Sequence, residues 1–321
     1  MTTKVVVILT QWIDPTADRV VEELNEREIP VFRFDSAEFP QHLTVSAVLR
    51  EKGWTSTLKT ARRELDVGSV AGIYYRRPTS FDFPPGMPAA DRHWARAEAR
   101  MALGGILSSL SCWLNHPSRI AAAEFKPFQL DAAVRVGLRV PRTIVTNDPS
   151  AAGRFAESVG RIIYKPLACS FLDDKNGEHL PIYASLAERE ILTDPSISLT
   201  AHLFQEWIEH EYAVRLTVVD RKFFACAIRA GSDAAYVDWR SDYAALTYSI
   251  VTCPPWIERG VTALMEKLGL RFGALDFLVT PAHEWVFLEI NPNGQWAWIE
   301  EETGLAITVA IADSLTGRST W

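Results

Sequence analysis

The side chains best suited to chemistry stand near the C-terminal end, in the run Glu284-Trp285-Val286-Phe287-Leu288-Glu289-Ile290-Asn291-Pro292-Asn293-Gly294-Gln295-Trp296. Read as a β-strand, it puts Val286, Leu288 and Ile290 on one face and Phe287, Glu289 and Asn291 on the other. Glu289 and Asn291 therefore point the same way. A carboxylate and an amide offer hard oxygen ligands that suit Mg²⁺, which takes few protein ligands and fills its shell with water and phosphate. Phe272 to Val279 reads as a second strand, joined to the first by the turn-like Thr280-Pro281-Ala282-His283, and a hairpin brings Asp276 beside Glu289. The plainer alternative is a strand that ends in a Pro-Asn-Gly turn with chance polar residues.

Cationic side chains suited to phosphate or carboxylate lie upstream. Lys126 sits in Glu124-Phe125-Lys126-Pro127-Phe128-Gln129, and Lys165 in Ile162-Ile163-Tyr164-Lys165-Pro166, the end of a strand that follows a helix over 148–159. Residues 212–219 alternate as a strand and turn at Asp220-Arg221-Lys222 into 223–229. With the hairpin centred near Arg221, Arg215 lies diagonal to Arg229 on one face, where both reach one anion; two exposed hairpin arginines are the alternative. Arg240, in the loop Asp238-Trp239-Arg240-Ser241, is a candidate for holding a substrate carboxylate. Arg76-Arg77, at the end of a strand over 70–75, is a further pair, of which at most one meets an anion because neighbours in a strand face opposite ways.

These groups need a scaffold, and 321 residues at 48% hydrophobic composition suffice for two or three globular units. With 33 Lys and Arg against 40 Asp and Glu, the net charge of −7 gives no bulk attraction to nucleic acid. Cys112, Cys169, Cys226 and Cys253 are far apart, without a C-x-x-C pair, which argues for reduced thiols over zinc or a disulfide framework. The apolar run 5–9 is too short for a signal peptide, and no stretch approaches the roughly 18 apolar residues of a membrane span. A cytoplasmic location is expected.

In chain order, a β-run over 4–10, a helix from Asp14-Pro15-Thr16 through Glu28 and a strand over 29–34 suggest a small parallel α/β unit. Asp35 invites a dinucleotide reading, but the turn over 11–15 has no glycine, so the fingerprint is absent. A core helix is expected over 90–114, with Ala99, Leu103, Ile106, Leu107 and Leu110 at helical spacing. A helix from the N-cap Ser118 toward Val136 follows, or two pieces broken at Lys126-Pro127, then a strand over 140–146. A helix is expected over 186–192, another over 257–268 capped by Gly269, and a closing helix from about Trp298 through Ile311 and Leu315.

The ordered set Lys126, Lys165, Asp276, Glu289 and Asn291 resembles the ATP-grasp superfamily, and the string from Glu289 to Gln295 with Trp296, Trp298 and Glu300 resembles one branch, the microviridin-type (graspetide) peptide macrocyclases. The resemblance implies an α/β (α+β) ATP-grasp fold: an N-terminal α/β pre-ATP-grasp domain over 1–117, a central subdomain over 118–200 and a C-terminal subdomain over 201–321, with ATP between the last two. It assigns Asp276, Glu289 and Asn291 to magnesium, two ions being expected, and Lys126 and Lys165 to nucleotide phosphates. In Leu203-Phe204-Gln205-Glu206-Trp207-Ile208-Glu209-His210-Glu211 it places the adenine at the main chain of Glu206 to Ile208, flanked by Gln205 and Trp207, and the ribose at Glu211. Arg215 falls near the γ-phosphate and the acceptor carboxylate.

The implied activity is ATP-dependent closure of ω-ester bonds (Ser, Thr) or ω-amide bonds (Lys) from Asp or Glu side chains of a ribosomal precursor peptide, through an acyl phosphate. Arg215, Arg229 and Arg240 would orient the carboxylate. Two features depart from the pattern: the flap over 167–179 carries only Gly177, and Ala213 stands where an acidic residue is common. The implied partner is a precursor with a leader, bound between about 172 and 199, and an acidic, Ser/Thr-rich core. The resembled enzymes are commonly homodimers, although the residues themselves give no oligomeric state. A ligase joining separate small molecules or peptide ends and a non-catalytic nucleotide-binding module are the competing readings.

Overall fold

The first apolar run becomes β1 (Val5–Leu9), the middle strand of a three-stranded parallel sheet. The structure is a computed structural model that describes residues 4–168, 171–173, 179–188 and 190–318. Asp14 caps α1 (Pro15–Glu26) by accepting from Ala17 N at 3.2 Å, with proline in the first turn, and β2 (Val31–Phe34) returns parallel to β1. The expected β-α-β unit is present. β3 (Leu43–Arg50), β4 (Gly53–Thr60) and β5 (Glu64–Asp66) form a separate antiparallel sheet, and β6 (Val70–Tyr75) flanks β1 on its other side.

The helix expected over 90–114 is shorter, α2 (Ala89–Ser108). Ile73 N donates to Cys112 O at 2.8 Å and Leu114 N donates to Ile73 O at 2.9 Å, so residues 112–114 lie extended beside β6 instead of winding on. The next helical stretch is two pieces, α3 (Pro117–Ala123) and α4 (Lys126–Arg135), with Pro127 in the first turn of the second. The cap of α3 is His116, whose Nδ1 accepts from Ser118 N at 3.2 Å, and not Ser118, because Pro117 already opens the helix.

The second part of the chain is built on a further, four-stranded sheet. It is built from β7 (Thr143–Thr146), which is shorter than the strand expected over 140–146, α5 (Pro149–Val159) capped by Asp148, and β8 (Ile162–Lys165). After the small hairpin of β9 (Phe171–Asp173) and β10 (His179–Pro181), β11 (Ser185–Ala187) and β12 (His202–Glu206) complete the antiparallel order β11-β8-β12-β7. The helix expected over 186–192 begins instead as strand β11, drawn into pairing with β8. Gly177, like Cys169, lies outside the described residues.

The third part is a five-stranded antiparallel sheet of order β15-β14-β13-β16-β17. Its elements are β13 (Tyr212–Val219), β14 (Lys222–Ala230), α6 (Asp233–Val237), β15 (Leu246–Ile250), α7 (Pro255–Leu268), β16 (Phe272–Val279) and β17 (Trp285–Asn291). One face is covered by α7, whose buried Ile257, Val261, Leu264, Met265 and Leu268 recur at helical spacing and pack with Leu216, Leu275 and Phe287. Gly269 closes that helix at φ 69°. The closing helix divides into α8 (Ala297–Thr303) and α9 (Ile307–Leu315) because Gly304 takes φ 72° and terminates the first. Ile307, Ile311 and Leu315 of α9 pack with Val20 and Leu24 of α1, which ties the first unit to the last. Among the described residues, no helix is long and apolar enough to cross a membrane.

Candidate active site

The hairpin of β16 and β17 sets Asp276 directly opposite Glu289 and Ala274 opposite Asn291. The next pair is Phe277 with Phe287, so Leu288 is an extra, bulged residue. The bulge corrects the strict alternation of faces expected for this strand, since Leu288 and Glu289 both line the same cleft. In the following turn only glycine fits at 294: a Cβ there would lie 2.5 Å from Ala274 Cβ and 3.1 Å from Arg215 Nη2.

β17 is an edge strand, and its outer edge is covered piecewise. Arg139 O accepts from Phe287 N at 2.8 Å. Further along, the 3%-exposed side chain of Gln129 imitates a neighbouring strand, its Oε1 accepting from Ile290 N at 3.0 Å and its Nε2 donating to Ile290 O at 2.8 Å. One turn earlier on α4, Lys126 Nζ pairs with Glu289. One helix end thus grips two consecutive residues of the oxygen-bearing strand. Sequence reasoning quoted Gln129 beside Lys126 and gave it no role; the i, i+3 spacing on a helix was the available signal. Gln129→Leu leaves two buried backbone groups unpaired, which costs about 1–3 kcal/mol. Thermal unfolding should show a midpoint several degrees lower, and an unchanged midpoint would mean these bonds do not hold the strand.

Arg215 lies opposite Asp276 on the neighbouring strand and donates from Nη1 to both carboxylate oxygens at 3.0 and 2.8 Å. Its Nη2 donates to Gln295 O at 3.1 Å, and its guanidinium sits 5.9 Å from the centre of the Trp239 ring. Buried Arg76 reaches the same turn, donating to Asn293 O and Gln295 Oε1, so it is structural rather than free to meet an anion. Arg229 departs from expectation. The β13–β14 turn is tighter than assumed: Arg215 pairs with Cys226 and Ala213 with Ile228, so Arg229 stands on the opposite face from Arg215. It donates to Ser249 Oγ at 2.8 Å and lies 4.6 Å over the Tyr212 ring.

Arg240 forms a two-pronged pair with Asp238, Nε to Oδ1 at 2.8 Å and Nη2 to Oδ2 at 2.7 Å. Burial works against its charge, but Asp238 more than offsets this and raises the arginine's pKa. Asp238 also accepts from Ala184 N at 2.9 Å and so links the loop before β11 to the third part across the cleft. Its role was not foreseen, although it stands two residues from Arg240.

A cleft lies between the four-stranded and the five-stranded sheets. Lys126, Lys165, Gln205, Glu206, Trp207, Ile208, Glu211, Arg240, Asp276 and Glu289 all line it, and Asn291, Arg215 and Arg229 are not among its lining residues. Burial lowers the Lys165 pKa to about 8, with Lys126 acting the same way and Glu289 opposing. Burial would raise Glu289, yet the positive Lys126, Lys165 and Arg240 bring it to about 2. Asp276 is raised by burial and by the Glu289 charge, against the pull of Arg215. A cluster of opposed charges at one end of a large cleft is built to receive other charges.

β12 and the segment after it bring further polar and aromatic groups to the cleft. Gln205 donates from Nε2 to Thr143 Oγ1 at 2.9 Å, while its buried Oε1 has no partner among the described residues and is suited to accept from an amine. His210 and Tyr236 stack 4.4 Å apart at 7°, and both line the cleft; neither was foreseen. For a metal, no group of three His, Cys, Asp or Glu occurs among the described residues. The third oxygen beside Asp276 and Glu289 is an amide, Asn291, and this donor set fits Mg²⁺.

Residues 5–121 match the family model described as the MvdD pre-ATP grasp domain. No curated protein sequence matches the chain. Among solved structures, the RiPP-associated ATP-grasp ligase of Chryseobacterium gregarium, in complex with ADP and a leader and core peptide, is 27% identical, with 99% of this chain and 98% of that one covered and a TM-score of 0.90. The macrocyclase MdnC of Microcystis aeruginosa, bound with precursor peptide MdnA, is 26% identical over 98% and 99%, with a TM-score of 0.85. The macrocyclase MdnB of the same organism is 30% identical over 97% and 99%, with a TM-score of 0.77. Full-length likeness at this identity, on a cleft lined by Lys126, Lys165, Asp276 and Glu289, shows that the chain belongs to the ATP-grasp macrocyclases of ribosomal peptides, which are ATP-dependent ligases.

Proposed function

We propose that this chain activates Asp or Glu side chains of a ribosomally made precursor peptide and closes them onto Ser or Thr as ω-esters or onto Lys as ω-amides. The observation that carries the reading is the opposed pair Asp276 and Glu289 at the same cleft end as Lys126, Lys165 and Arg240. Adenine is held at Glu206 to Ile208 with Gln205 Oε1 accepting from its amino group, and Glu211 takes the ribose. Lys126 and Lys165 meet the phosphates. Asp276, Glu289 and Asn291 would hold Mg²⁺, which would supply charge neutralisation for the phosphates.

The peptide carboxylate attacks the γ-phosphorus, ADP leaves, and the resulting acyl phosphate is opened at its carbonyl carbon by the hydroxyl or amine. Phosphate departs, and the nucleophile's proton is lost to phosphate or solvent. Arg215 and Arg240 orient the carboxylate and offset its repulsion by ATP. Arg229, facing away from Arg215, is withdrawn from this step in the present reading. Lys165→Ala should weaken nucleotide binding about 10- to 100-fold, the worth of a charge-assisted contact; calorimetric ADP titration tests this, and unchanged affinity would remove Lys165 from the phosphate site.

The succession of a parallel sheet, a four-stranded and a five-stranded antiparallel sheet supports a division into 1–117, 118–200 and 201–321, and the dependence on ATP with reduced thiols supports a cytoplasmic setting. A precursor encoded beside this gene, incubated with the protein, ATP and Mg²⁺, should lose one water per crosslink. No loss from any acidic peptide so encoded would sink the proposal.

A further inference from the structure

Trp298 follows the oxygen-bearing strand closely in sequence but is not among the residues that line the cleft. It lines a separate, open pocket together with Tyr243, Tyr248 and Glu302. Trp298 and Glu302 stand four apart on α8 and so share a face of that helix. Tyr248 comes from β15, and Tyr243 from the single helical turn Tyr243–Ala245 just before it. Both tyrosine rings meet the indole steeply, Tyr243 at 6.4 Å and 88° and Tyr248 at 5.4 Å and 64°. Three rings thus form the walls of a box. Tyr243 is 55% exposed, and Glu302 is exposed with no ion-pair partner among the described residues. Aromatic faces attract a cation, and a carboxylate beside them adds its charge to that attraction.

We propose that this pocket is an aromatic cage for a lysine or arginine side chain of the peptide substrate, a proposal that rests on the peptide-ligase reading and extends it. What adjoins the pocket identifies the occupant. Trp298 packs on Trp239 with ring centres 5.2 Å apart, and the Arg215 guanidinium sits 5.9 Å from the centre of Trp239. The cage therefore stands two ring contacts from the arginine assigned to the acceptor carboxylate, a span that an extended peptide covers in about four residues. Burial raises the Tyr243 pKa while the charges of Arg240 and Arg215 oppose it, so this ring divides the cage from the acceptor side. Those arginines repel a cation from the carboxylate's seat, and Glu302 draws it to the cage. A basic side chain held there fixes which Asp or Glu of the peptide comes to Arg215.

The test uses the full chain with ADP and Mg²⁺ and the fluorescently labelled peptide encoded beside the gene, its affinity read by anisotropy. A lysine or arginine should stand within about four residues of a crosslinked carboxylate. Glu302→Gln and Tyr243→Leu should each weaken peptide binding about 10-fold, and changing that basic residue of the peptide to methionine should do the same. Glu302→Gln combined with the changed peptide should cost little more than either alone, a coupling that a purely structural role would not give. ADP affinity and the thermal midpoint of both protein variants should hold. A core without lysine or arginine, a peptide that does not bind, or an affinity indifferent to all three changes would overturn the proposal. A peptide that binds with this coupling but is never crosslinked would sink the ligase reading and leave the cage standing.

Discussion

Glu289→Gln is expected to lower peptide-dependent ADP release about 1000-fold, since in the proposed reading Glu289 is a magnesium ligand whose loss removes several kcal/mol of transition-state stabilisation. The fold should survive. Glu289 faces the cleft at a strand edge, and Ile290 beside it stays pinned through its backbone to Gln129. Lys126 loses its ion-pair partner but is only partly buried, so the thermal midpoint should move by no more than a few degrees. Steady-state ADP release at saturating Mg²⁺ with the cognate peptide is the check. A variant with near-normal turnover would show that the metal lies elsewhere.

The second large effect is expected at Arg215. Arg215→Ala strips the buried Asp276 of its bidentate partner, and an uncompensated buried charge costs about 3–5 kcal/mol. The midpoint should fall by roughly 6–15 °C. Arg215→Lys keeps the charge without the planar fork, so it should recover part of that stability and little of the rate. For whichever variant folds, turnover should fall further than ADP affinity. Nucleotide affinity lost in step with turnover would move Arg215 from the acceptor side to the nucleotide side.

Much of the fold was legible because periodicity and local punctuation agree in it: α1 starts at Asp14-Pro15, α7 ends at Gly269, and the turn at 280–283 returns β17 onto β16. Asp276 could be placed beside Glu289 from the hairpin alone. Misplacements arose where tertiary partners override local preference. Residues 112–114 bond to Ile73 and leave the helix, and 185–187 join β8 as a strand. Arg229 was misjudged because a one-residue difference in turn length moves a side chain to the other face of a hairpin. The side-chain cap by Gln129 joins residues 161 positions apart, and no local pattern encodes it, while the bulge at Leu288 breaks the simple alternation of an otherwise legible hairpin. Asp238 was overlooked for a similar reason, since its bond to Ala184 exists only once the two sheets face each other.

The central claim is that the cleft converts a peptide carboxylate into a crosslink. Intact mass of the neighbouring-gene peptide, after incubation with this protein, ATP and Mg²⁺ and with tandem fragmentation, tests it most directly. The account predicts successive losses of water confined to a fragmentation-resistant core, all absent with Glu289→Gln. An unchanged peptide mass, with ADP still released when free amines are supplied, would contradict it and make the chain a ligase of separate molecules.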